Sequence, residues 1–146
     1  MLDGTPKPRL GAMLDVASAA WRSDVRAALD KRRAPALGAG ADLLAQITLA
    51  GISQSLLAER LGLSKQAVQQ SLDQLVRLGL VRRAPDPVDK RAKYAVLTET
   101  GLLALEARRD AEREVERAWQ ERLGKKAFGR LRKTLRKVDS IDQPGE

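Results

Sequence analysis

The 146-residue sequence contains no cysteine and no histidine. The first absence excludes disulfides, thiolate metal sites and cysteine redox sensing. The two together remove the usual side chains of zinc, haem and imidazole acid–base chemistry. No metal and no cofactor is therefore expected. No apolar run approaches the ~20 residues of a membrane-spanning helix, so no membrane partner is expected either. Met1 to Pro8 lacks the apolar core of a secretory signal. The expected location is the cytoplasm. Internal repeats and low-complexity tracts are also missing.

What the chain has in excess is positive charge. It carries 27 Lys and Arg against 19 Asp and Glu, a formal net charge of +8. A basic surface attracts polyanions, and DNA is the commonest of them. The hydrophobic share of 43% is that of a globular protein. A chain of this length buries roughly two-thirds of its unfolded surface. It has room for one domain, or for one compact lobe with additional helices.

Hydrophobic periodicity divides the chain. Residues 1–7 read as a tail, with Gly4, Pro6 and the adjacent Pro8 as breakers. Over 8–35 the spacing predicts a helix to about Arg33, with Leu10, Leu14, Ala17, Trp21, Val25 and Ala28 on one face. A short helix is expected over 41–50, ended by Gly51. Two more follow over 54–61 and 65–78, capped by Ser53 and Ser64 and closed by Gly62 and Gly79. The runs 80–83 and 92–97 read as strands flanking a loop rich in turn formers, Pro85-Asp86-Pro87-Val88-Asp89-Lys90. Thr98 caps a long helix over 99–123, and a last helix occupies 125–138 before a tail at 141–146. The expected fold class is mainly α with a small β-hairpin wing. A winged helix-turn-helix lobe (36–98) lies between an N-terminal helix (8–35) and C-terminal helices (99–140).

The segment from Ser53 to Val68 carries the chemistry. Small Ala58 lets two helices cross closely, Gly62 supplies the turn, and Leu57, Leu61 and Val68 are placed to pack between them. The second helix then divides. Val68, Leu72, Leu75 and Val76 face inward, while Lys65, Gln66, Gln69, Gln70 and Asp73 share the opposite face. Gln pairs with adenine and Lys with guanine in the major groove. A merely solvated face favours Glu and Lys over Gln. Beyond this helix, Arg82, Arg83, Lys90, Arg91 and Lys93 concentrate positive charge on and beside the hairpin. A protruding cation there can enter the negative minor groove. Asp86 and Asp89 are unusual in such a loop; an Asp beside an Arg is expected to hold the guanidinium in one direction.

These features resemble one family. The helix-turn-helix is followed by Leu75-Val76-Arg77-Leu78-Gly79-Leu80-Val81-Arg82-Arg83, by Asp86-Pro87-Val88-Asp89-Lys90-Arg91, and by Leu97-Thr98-Glu99-Thr100-Gly101. Together they are similar to the MarR family of regulators. The resemblance implies that Lys65, Gln66, Gln69 and Gln70 enter the major groove. It also implies that Arg91 enters the minor groove with Asp89 supporting it, and that Ser53, Gln54 and Ser64 reach phosphates. Lys90 stands where the family often has Arg, which keeps the charge but not the fork. A ligand-sensing role is implied by the resemblance alone. Trp21 and Trp119 could line the pocket of a small-molecule effector, or could be large core residues.

Two readings follow for function. The first is a sequence-specific regulator of transcription, a repressor at a near-palindromic operator. The second is an architectural protein that binds double-stranded DNA with little sequence preference; the Gln-rich face favours the first. An enzyme is not expected, because the Ser residues sit at helix caps and no imidazole or thiol is present. Leu10, Leu14, Trp21, Phe128, Leu131, Leu135 and Val138 form apolar stripes outside the winged lobe, so a homodimer joined through the terminal helices is expected.

Overall fold

The computed structural model describes residues 7–38 and 40–139; the expected tails lie outside them except for Lys7. Among the described residues, six helices and three strands follow in chain order. They are α1 (Leu10–Lys31), α2 (Gly40–Gln46), β1 (Ile52–Ser53), α3 (Gln54–Leu61), α4 (Lys65–Arg77), β2 (Val81–Pro85), β3 (Lys93–Leu97), α5 (Glu99–Leu123) and α6 (Lys125–Asp139). The strands form one antiparallel sheet in the order β1-β3-β2. Ile52 lies opposite Ala95, and Val81 opposite Leu97.

The hairpin wing is therefore a three-stranded sheet, and this explains why α2 is shorter than the periodicity suggests. The helix ends at Gln46 rather than at Gly51. Thr48 then closes a turn: its carbonyl and its Oγ1 both accept the Gly51 N–H, at 3.0 and 3.1 Å. The same Thr48 carbonyl accepts the Leu97 N–H at 3.0 Å, joining the turn to β3. Gly51, at φ +91°, belongs to this turn. A Cβ there would lie 2.2 Å from the Tyr94 ring.

Two compact units are built from the chain, residues 29–109 and residues 1–28 with 110–146. In the first, Leu43, Leu44, Leu57, Val68, Leu72, Leu75, Val81 and Ala95 form one buried cluster from helices and sheet. Both helices of the turn motif begin on serine caps, Ser53 Oγ accepting from Leu56 N and Ser64 Oγ from Ala67 N. Gly62 (φ +61°) and Gly79 (φ +72°) end α3 and the turn after α4 in the left-handed conformation. There Leu63 N donates to Ala58 O and Leu80 N to Leu75 O, which satisfies carbonyls the helices leave open.

The run Leu97-Thr98-Glu99-Thr100-Gly101 has a physical reason at two positions. Thr98 Oγ1 donates to Gly79 O at 2.6 Å and accepts from Gly101 N at 3.0 Å, so one side chain both caps α5 and ties it to the turn after α4. Gly101 lies so close to the residue that precedes β2 that an added Cβ would be 2.0 Å from the Leu80 carbonyl oxygen.

In the second unit, Val25, Ala28, Ala111, Val115 and Phe128 are buried. Trp21 and Trp119 meet edge to face, with centroids 5.5 Å apart and planes at 85°. Trp119 Nε1 donates to Asp24 Oδ2 at 2.7 Å, and the Arg122 guanidinium lies 5.4 Å from the Trp119 ring centroid. The two tryptophans thus pack on each other. Leu10, Leu14, Leu131, Leu135 and Val138 remain exposed, by 38% for Leu131 and 70% for Leu10. Phe128 departs from the expected stripe, because it is buried inside its own chain and 7% exposed. Among the described residues no helix is long and apolar enough to cross a membrane.

Candidate nucleic-acid interface

Helix α4 presents its N-terminal turn outward from the Ser64 cap. Lys65, Gln66 and Gln70 are exposed, while Gln69 and Asp73 are half-buried. The capping bonds use lone pairs of Ser53 Oγ and Ser64 Oγ. Neither capping bond uses the hydroxyl proton.

The wing strands carry the second part of the site. Arg82, Arg83 and Lys93 are exposed on β2 and β3, and Lys90 and Arg91 are exposed on the loop between them. The two aspartates of this loop act on the backbone. Asp86 Oδ1 accepts from Val88 N at 2.8 Å and from Asp89 N at 3.2 Å; Asp89 Oδ1 accepts from Arg91 N at 3.0 Å. The expected grip of Asp89 on the Arg91 guanidinium is not the contact that forms. Asp89 is placed to fold the loop, as short acidic side chains do two residues ahead of a backbone N–H.

Helix and wing meet in a polar cluster. Gln69 Oε1 accepts from Gln54 Nε2 and from Lys93 Nζ, both at 3.0 Å. Gln69 Nε2 donates to Asp73 at 3.2 and 3.4 Å, and Arg83 donates to Asp73 Oδ1 at 2.5 Å. The hydrogen bond from Arg83 holds the Asp73 carboxyl below its ordinary value; desolvation opposes this, and Gln69 and the charge of Arg77 reinforce it. A depressed carboxyl stays ionised at neutral pH. Its contribution to stability is lost only as pH falls through the lowered value.

Gln54 is engaged in this cluster. Its amide donates to Gln69, and its Oε1 is buried without a partner. A cleft of about 350 Å³ lies along this cluster, lined by Gln54, Ser55, Lys65, Gln66, Gln69, Ala92 and Lys93.

The spacing of Gln69 and Asp73, four residues apart on one helix, was a signal for their contact. The partners on the wing carried none, because they lie 10 and 24 residues away in sequence.

Residues 39–92 match the family model described as "MarR family". The comparison with curated proteins finds no match. Among solved structures, the chain is similar to the reduced form of MarR from E. coli, at 23% identity, a TM-score of 0.75, and 92% and 98% coverage of this chain and that one. It is similar to the Multiple Antibiotic Resistance Repressor, MarR, at 23% identity and a TM-score of 0.69, covering 91% and 96%. It is also similar to the YusO protein from Bacillus subtilis, at 17% identity and a TM-score of 0.66, covering 90% and 92%. The family model thus matches residues 39–92, which hold the helix-turn-helix and the first part of the wing, and the solved structures share the fold over nine-tenths of the chain.

Proposed function

We propose that this protein is a cytoplasmic, sequence-specific regulator of transcription that binds a near-palindromic operator as a homodimer and represses. The observation that carries the reading is one exposed surface. Along one cleft it joins Lys65 and Gln66, at a capped helix N-terminus, to Lys93 of β3, and the exposed cations Lys90 and Arg91 lie just before Lys93 in the chain. Helix N-termini and Lys favour phosphate, Gln meets base edges, and a loop cation suits the minor groove. The exposed apolar residues of α1 and α6 support the homodimer, since a second copy would cover them. One structurally similar protein is by name a repressor.

Selection of bound duplexes from a random pool at a stated salt concentration, followed by footprinting, tests this. The expected product is an inverted repeat with half-sites about one DNA turn, roughly 34 Å, apart. Binding with a steep salt dependence and no enriched sequence would instead fit an architectural protein.

Single substitutions separate base reading from charge. Gln66→Ala should weaken the selected site by about 1–3 kcal/mol and leave the salt slope unchanged. Arg91→Ala should weaken binding to many sequences and flatten the slope by about one per wing, so about two per dimer. Asp89→Ala should also weaken binding, although it adds net positive charge, because the loop that carries Arg91 loses the bond to its backbone. Isotherms at three salt concentrations decide; tighter binding by Asp89→Ala at every salt would mean that Asp89 acts only by repelling phosphate.

A further inference from the structure

The hydrogen-bonding capacity of Gln69 is almost filled before any ligand arrives. Its amide orientation is forced by chemistry. Lys93 Nζ can only donate, so the atom facing it at 3.0 Å is the Gln69 oxygen. The Asp73 carboxylate can only accept, so the atom facing it is the Gln69 nitrogen. Gln54 must then meet the same oxygen with its own NH2 group. The Gln69 oxygen accepts two hydrogen bonds, one for each lone pair. The two Asp73 oxygens lie too close together to engage both protons of one NH2 group, so one proton is shared between them and the other is left. Asp73 is itself held by Arg83 from β2, and Lys93 stands on β3. Two strands of the wing thereby fix one side chain of the recognition helix, at the wall of the 350 Å³ cleft.

We propose that Gln69 reads DNA as a hydrogen-bond donor only, and that Lys93 and Asp73 are the positioning residues that make it so. A free glutamine contacts adenine with two bonds, accepting from N6 and donating to N7. With its oxygen filled, Gln69 cannot accept from N6. It offers one N–H, flanked by the ammonium of Lys93, to a base edge that presents acceptors. Guanine, with N7 and O6, presents two acceptors and no donor, whereas adenine sets its N7 beside the donating N6 and thymine offers O4 alone. The wing thus takes part in base choice without touching the base. This inference rests on the reading of the protein as a sequence-specific DNA binder.

The test begins with duplexes selected from the random pool. The base pair read by Gln69 is the one at which Gln69→Ala abolishes preference. Four duplexes differing at that pair are then compared with the wild-type protein and with Lys93→Met. The wild type should bind guanine over adenine there by about tenfold. Lys93→Met removes one donor and frees one lone pair. All four affinities should fall, and the ratio of guanine to adenine should drop to one or below. A change in ratio separates positioning from a plain phosphate contact, which would lower all four equally.

In the free protein, the two side-chain amide protons of Gln69 should exchange with water at different rates by NMR. Adenine preferred by the wild type, an unchanged ratio in Lys93→Met, equal exchange of the two protons, or a Gln69→Ala protein with every preference intact would each overturn the donor-only reading and leave sequence-specific binding standing. A pool with no enriched sequence would overturn both.

Discussion

Gly101→Ala should lower the unfolding free energy by about 3 kcal/mol, at the upper end of what overpacking costs. Taken as a helix substitution alone, the opposite sign would follow, because Ala is favoured over Gly in a helix interior by about 1 kcal/mol. The approach of α5 to Leu80 and Leu97 decides the matter. The added methyl would lie 2.0 Å from the Leu80 carbonyl oxygen and 2.7 Å from Leu97 Cδ1. That carbonyl cannot swing aside cheaply, because it accepts the Thr98 N–H at 3.1 Å. At roughly 2–4 °C per kcal/mol for a chain of this size, the midpoint of thermal unfolding should fall by about 10 °C. Gly129→Ala is the matched control. It lies within α6 with nothing inside 4 Å of its added Cβ, so it should stabilise by about 0.5–1 kcal/mol. Equal responses from the two variants would show that the clash at Gly101 is relieved by movement.

The double substitution Leu131→Asp with Leu135→Asp should abolish the proposed homodimer and weaken operator binding by about 10²–10⁴-fold. Both side chains are exposed in the single chain, so neither change opens a cavity in the monomer. Four carboxylates brought into one apolar interface would have to be desolvated without partners, which is prohibitive. Sedimentation at micromolar concentration should give the monomer mass for the variant and twice that for the wild type. Binding to a duplex bearing one half-site should be nearly unchanged, since the recognition surface is intact and only the linkage between two copies is lost. A wild-type protein that sediments as a monomer would remove the basis of this expectation.

Much of the fold was legible because its elements end on residues with local reasons to end there. Ser53, Ser64 and Thr98 accept from backbone N–H groups three residues ahead, and Gly62 and Gly79 adopt left-handed backbone, all within a few residues of chain. Strand β1 was not legible. Two residues are too few to show alternation, and Ile52–Ser53 is a strand only because β3 lies beside it. The early end of α2 has the same origin, in a Thr48 carbonyl committed to Leu97.

At the site, pattern identified the outward face of α4 but not its internal ties. Gln69, Gln66 and Gln70 look alike in sequence, yet only Gln69 is reached by Lys93 from β3. Asp89 illustrates a different gap. Its place beside Arg91 points to a side-chain partner, whereas its short carboxylate accepts from the Arg91 backbone N–H. Phe128 fits the stripe of α6 by spacing, and only the packing within its own unit separates it from Leu131 and Leu135.

The placement of the aromatic rings divides the molecule optically. Both tryptophans of the sequence, Trp21 and Trp119, belong to the unit formed by residues 1–28 and 110–146. The single tyrosine, Tyr94, belongs to the other unit, where its hydroxyl donates to Ala50 O at 3.3 Å. Indole emission therefore follows the terminal helices and the phenol follows the wing. The two indoles, 5.5 Å apart, are close enough for their transitions to couple, and a circular-dichroism signal from that coupling should vanish when Trp21 and Trp119 separate. Without an added label, one sample thus reports the melting of its two units on separate channels.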